Sequence, residues 1–124
     1  MALNFYYNME KTYNEMYIEH EQLKMINNYI NFMFQFRTTI NHRLTNYEIK
    51  NLIKQLNYNF NKTDEDCESY YTNGESEIFT NIDKNQVHLC MVRAGFIVKT
   101  ETNNYIYNVS IKPKIQQLLK YNNY

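Results

Sequence analysis

From Phe5 to Phe36 the chain runs without a glycine or a proline, and along that stretch Met9, Met16, Leu23 and Ile30 recur every seven residues. Such a repeat keeps one apolar stripe on one side of a helix, so this region predicts one long helix, or two joined near His20. Tyr13, Ile26 and Met33 fill the neighbouring turns. From Leu23 onward nearly every side of the helix is apolar, and that half is expected to be surrounded by protein. The first half is a narrower stripe with Glu10, Glu15, Glu19 and Glu21 outside it, which suits packing against another helix or a second copy of the chain.

The chain has 124 residues, which fits one domain over 1–124, and its thirteen Tyr and seven Phe can bury enough surface to offset chain entropy. Twenty residues are Asn, while only two are Gly, one is Pro and none is Trp. Codon bias accounts for this balance: the composition points to an AT-rich genome, of the kind carried by viruses and mobile elements, and carries no structural signal of its own. No apolar run reaches the roughly 18–20 residues that a bilayer requires, and no basic segment leads into an apolar one. Cys67 and Cys90 are too few for a disulfide framework or a zinc site. A reducing cytoplasm, that of a host if the source is viral, is the expected compartment.

Thr45-Asn46-Tyr47-Glu48 has the form of a capping box, and Ile49, Leu52, Ile53 and Leu56 follow at helical spacing, which predicts a helix of about three turns. The polar stretch from Asn57 is expected to be a loop, acidic over 57–82. Asp83 can cap a helix whose inner face is Val87, Cys90, Met91 and Ala94, and Gly95 stands where a helix-ending residue at positive φ belongs. Phe96–Thr100 and Tyr105–Val109 then predict a hairpin turning at Asn103-Asn104, and Pro113 opens a closing helix over 112–124. The expected fold is mainly α with one β-hairpin: a helical region over 5–36, a core over 37–111, and the closing helix. Ile30, Met33, Phe34, Ile49, Leu52, Ile53, Leu56, Val87, Met91, Phe96 and Val98 are its expected core.

Helix, capped helix, a helix ending in Arg93-Ala94-Gly95-Phe96-Ile97, hairpin and final helix: in this order the chain resembles winged helix-turn-helix DNA-binding proteins. The likeness spans roughly residues 23–121 and is most specific from Asp83 to Val109. The tail resembles small dimeric members of the PadR and TubR types. One departure is visible, since some 25 residues separate the capped helix from the next one where the family has a tight turn. The resemblance implies a recognition helix over about 83–94, with Lys84, Asn85, Gln86, His88 and Arg93 facing bases. It also implies a wing placing Lys99, Asn103 and Asn104 on DNA, and Arg37, His42, Arg43, Lys50 and Lys54 beside the backbone. Asn and Gln can pair bidentately with adenine, and Arg and Lys with guanine or phosphate.

The charge map agrees with that expectation. Residues 1–36 carry a net −2, residues 37–63 a net +4, residues 64–83 a net −7 and residues 84–124 a net +5. The basic blocks hold the proposed recognition helix and wing, and the acidic block would have to point away from phosphate. The expected partners are therefore double-stranded DNA and a second copy, paired through terminal helices. A rival expectation is a small viral inhibitor that binds a host protein complex. His20, His42 and His88 are isolated, and no catalytic, metal-binding or phosphate-loop motif occurs, so neither an enzyme nor a cofactor is expected.

Overall fold

A single helix of 32 residues, α1 (Ala2–Met33), opens the chain, with no break near His20. The structure is a computed structural model that describes the backbone of residues 2–62 and 82–121, and the side chains of 15–60 and 82–119. After α1 come β1 (Phe34–Thr45), α2 (Asn46–Lys62), α3 (Lys84–Arg93), β2 (Val98–Glu101), β3 (Asn104–Ile111) and α4 (Pro113–Tyr121). The described residues thus form an α+β arrangement of four helices and a three-stranded antiparallel sheet in the order β1-β3-β2.

The sequence pattern did not reveal β1. It begins where the helix was expected to continue, because Phe34 and Phe36 pair with Ile111 and Val109 of β3 rather than extending α1. No glycine caps the helix at that point. Its last carbonyls are instead satisfied by Lys112, whose amide donates to the Met33 carbonyl at 2.8 Å and whose Nζ donates to the Asn31 carbonyl at 2.8 Å.

In α2 the Thr45 hydroxyl accepts from the Glu48 amide at 3.1 Å, as a helix-starting threonine should. Ile49, Ile53 and Leu56 are buried on its inner face, and Leu52 is half-buried. The helix is longer than its apolar pattern indicates, with 17 residues, and its last turns lie where a loop was expected. Contacts with α1 hold them: the Tyr29 hydroxyl donates to Asn57 Oδ1 at 2.9 Å, and Phe32 meets Phe60 edge to face at 6.2 Å. The remainder of the expected acidic loop, residues 63–81, lies outside the described residues.

The Asp83 carboxylate accepts from the amides of Asn85 and Gln86 at 2.8 and 2.9 Å, while Gln86 Oε1 accepts from the Asp83 amide at 3.0 Å. This reciprocal box starts α3, and Val87, Cys90 and Met91 are its buried side. Gly95 then turns the chain at φ +96°. A Cβ there would stand 3.8 Å from the Phe36 ring, an ordinary contact, so the backbone angle and not lack of room calls for glycine. Phe36 stacks on Phe96 with centroids 4.3 Å apart.

The hairpin pairs Val98 with Tyr107 and Glu101 with Asn104, so its turn is Thr102-Asn103 and not Asn103-Asn104. Thr102 takes the positive φ, 51°. Register decides this: a one-residue slip would turn the core-facing Tyr107 and Val109 outward. Of the expected core, Leu52 is only half-buried and Val98 is 40% exposed, because all four residues of the edge strand β2 face solvent. The other nine are buried, joined by Ile26, Ile82, Cys90, Ile106, Tyr107, Val109, Ile115 and Leu119.

Candidate nucleic-acid interface

Three elements converge on one buried amide. Asn46, the first residue of α2, has no exposed surface; its Nδ2 donates to the Lys84 carbonyl at 3.1 Å and its Oδ1 accepts from the Tyr105 amide at 3.0 Å. The start of α2, the start of α3 and the tip of the hairpin are tied there. A second tie lies nearer the surface, where Lys84 Nζ donates to the Asn103 carbonyl at 3.3 Å and to Asn104 Oδ1 at 2.9 Å.

His88 occupies the space between α3 and the sheet. Its ring stacks on Tyr105 at 3.7 Å, and Nδ1 lies 2.7 Å from the Tyr107 hydroxyl. Burial, with Tyr105 adding to it, holds the Tyr107 phenol far above its ordinary range, so the phenol keeps its proton, and the donor in its bond with His88 follows from the tautomer of the imidazole. Burial also pushes the His88 imidazole below its ordinary 6.5. The folded chain therefore binds this proton less readily than the unfolded chain. The stability that neutral His88 contributes is complete above pH 6.5 and declines as pH falls below it, towards the lowered folded value. Replacing His88 by Gln is expected to flatten the slope of urea-unfolding free energy against pH in the window just below 6.5; a slope unchanged by His88→Gln would reject the assignment.

The sequence-predicted DNA-binding residues thus divide into two groups. Lys84, Asn104, Gln86 and His88 are engaged within the fold; Gln86, besides its role in the cap, donates through Nε2 to Gln22 Oε1 at 2.6 Å. Asn85, Arg93, Lys99 and Asn103 are exposed. Among the backbone-contact candidates, Arg37 is exposed and donates to Thr39 Oγ1 at 2.8 Å, while Arg43 is exposed further along β1. Lys50 lies over the Tyr47 ring at 4.5 Å, Lys54 is half-buried, and His42 stands 4.0 Å from Glu101. Arg37 and Arg43 on β1 are separated from Lys99 on β2 by the central strand.

The outer face of α3 is made by Asn85, Leu89 and Val92 at i, i+4 and i+7, beside Arg93, and the two apolar residues are 37% and 44% exposed. Next to it a cleft of about 490 Å³ opens between α1 and α3, lined by Glu15, Ile18, Glu19 and Gln22 on one side and Asp83, Asn85, Gln86 and Leu89 on the other. Three carboxylates and no Lys or Arg line it. Its signal in the sequence lay in Leu89 and Val92, apolar residues at positions that the buried Val87, Cys90 and Met91 leave on the outside of the helix.

Cys90 is buried, its Sγ lies 3.6 Å from the Leu23 carbonyl, and burial raises its thiol pKa, the opposite of an activated nucleophile. Among the described residues no three His, Cys, Asp or Glu are grouped to hold a metal ion, and no helix is long and apolar enough to cross a membrane. Comparison with protein-family models, with curated proteins and with solved structures finds no match to the chain.

Proposed function

We propose that the chain is a protein-binding domain whose working surface is the outer face of α3 and the adjoining cleft, the surface through which a small inhibitor would block a partner complex. The observation that carries this reading is the exposed pair Leu89 and Val92 on α3, with Leu89 lining a cleft opposite the carboxylates of Glu15 and Glu19. Desolvated apolar side chains supply protein–protein affinity, whereas carboxylates beside the first turn of a helix repel the phosphates that a groove reader must approach. Lys84, Gln86 and His88 would have to break internal bonds to reach a base.

Double-stranded DNA binding is the second reading. It is supported by the order of α3, Gly95, hairpin and closing helix, which is the order a winged helix-turn-helix protein has, and by the exposure of Arg93 and Lys99. One titration separates the two. A labelled duplex of about 30 base pairs is expected to show no binding whose logarithm falls with the logarithm of salt, and Arg93→Ala and Lys99→Ala are expected to change nothing. A slope near −0.9 per phosphate contact, reduced by about one contact in each variant, would establish the DNA reading instead. In cells, a photo-cross-linker at position 89 is expected to capture a partner that one at exposed Gln117 does not, and Val92→Glu is expected to abolish that capture.

A further inference from the structure

We propose that the cleft beside the two bulges of β1 binds a small phosphorylated molecule, with Arg37 and Arg43 holding its phosphate. The strand pairs irregularly with β3. Four residues separate Phe36 from Asn41 where one separates Val109 from Tyr107, and three separate Asn41 from Thr45 where Tyr107 and Ile106 are adjacent, so each bulge carries three extra residues. Bulges of this kind re-aim side chains and are common beside binding sites. The two arcs and the end of β3 border an open cleft of about 610 Å³, within the roughly 300–1,000 Å³ of small-molecule sites. Asparagines pin the backbone of both arginines. Asn108 Nδ2 donates to the Arg37 carbonyl at 3.2 Å; Asn41 Oδ1 accepts from the Arg43 amide at 3.0 Å while its Nδ2 donates to the Val109 carbonyl at 2.9 Å.

Charge sets the class of ligand. Arg37, His42 and Arg43 line this cleft and no Asp or Glu does, the reverse of the cleft between α1 and α3. Among the described residues no carboxylate pairs with either guanidinium, and Glu101 reaches only His42, at 4.0 Å. The Arg37 guanidinium is already oriented: its Nε and Nη2 donate to Thr39 Oγ1 at 3.2 and 2.8 Å, which leaves three of its five N–H donors for a ligand. A planar fork matches phosphate oxygens, and two cations suit the dianion of a phosphomonoester. Ser110 adds a hydroxyl, and half-buried Ile40, Leu44 and Ile111 make an apolar wall for the organic part. Duplex DNA fits poorly, because it needs a row of cations and the central strand separates this pair from Lys99. The cleft shares no residue with the α3 face, so it stands whether that face takes protein or DNA.

NMR titration of the full, nitrogen-15-labelled chain with inorganic phosphate, adenosine monophosphate or adenosine tests it. The Arg43 and Ser110 amides are expected to shift with the monophosphate, bound about tenfold more tightly than inorganic phosphate because the apolar wall covers its organic part. Adenosine at about 10 mM is expected to shift neither amide. Arg37→Ala and Arg43→Ala are each expected to weaken binding about tenfold to a hundredfold, with far-UV circular dichroism unchanged because both side chains are exposed. Arg43→Lys keeps the charge without the fork and is expected to recover only part of the loss. Lys24→Ala, at an exposed position of α1 away from the cleft lining, is expected to change nothing. Absence of a shift with either phosphate at about 10 mM overturns the proposal, as does monophosphate binding indifferent to both arginine substitutions. Adenosine or inorganic phosphate bound as tightly as the monophosphate overturns the ligand class. A duplex of about 30 base pairs that shifts the same amides at lower concentration assigns the arginines to nucleic acid and overturns the small ligand.

Discussion

Replacing Asn46 by alanine is expected to cost about 2–4 kcal/mol of stability, a large share of what a domain of this size possesses. The side chain has no exposed surface, and its loss leaves the Tyr105 amide without its acceptor and removes the bond to the Lys84 carbonyl that ties α3 to α2. The Tyr105 amide without its acceptor costs on the order of 1–3 kcal/mol, and the lost second bond adds about 1 kcal/mol. The measurement is the urea midpoint, with Asn51→Ala as the reference, because Asn51 is exposed on the same helix and its loss should stay within about 0.5 kcal/mol. If the two substitutions cost the same, the buried amide is not what joins α2, α3 and the hairpin.

The second large effect is expected at Asn108, in the middle of the central strand. Its Oδ1 accepts from the Ile97 amide at 2.7 Å and its Nδ2 donates to the Arg37 carbonyl at 3.2 Å, so one side chain reaches towards both neighbouring strands. Asn108→Ala is expected to cost about 2–4 kcal/mol, again through unpaired backbone groups. A local readout distinguishes this from general loosening. Hydrogen exchange at the Ile97 amide should accelerate by a larger factor than exchange at Ile106, whose strand pairing with Lys99 does not involve the asparagine side chain. Equal acceleration at the two sites would mean that Asn108 supports the whole core and not the link to Ile97.

These two residues show where inference from composition went astray. Asparagine is so frequent here that codon bias explains its number, but codon bias does not explain its placement. Asn41, Asn46 and Asn108 bond backbone groups across elements, and Asn57 and Asn104 receive bonds from Tyr29 and Lys84. What the sequence did disclose was local. The cap at Asp83, the left-handed Gly95, the inner faces of α2 and α3 and the pairing of the hairpin all rest on residues within a few positions of one another. The undisclosed parts depend on distant partners. β1 has mostly exposed residues and no alternation of apolar and polar, so only its pairing with β3 makes it a strand. His88 looked like one more polar residue on an outer helix face because Tyr105 and Tyr107, which enclose it, come from the far side of the hairpin.

That dependence on distant partners sets a timetable for folding. Phe34 waits for Ile111, a residue 77 positions later, before the long first strand has anything to pair with. At the roughly 5–20 residues per second of ribosomal synthesis, that wait is about 4–15 s. The helices and the hairpin, whose contacts are near in sequence, can form in microseconds. Loop closure across the whole domain then comes last and limits the rate. Throughout the interval Phe34, Phe36 and an open strand edge are available to any neighbouring nascent chain, so the rate at which β3 emerges governs the yield of folded protein.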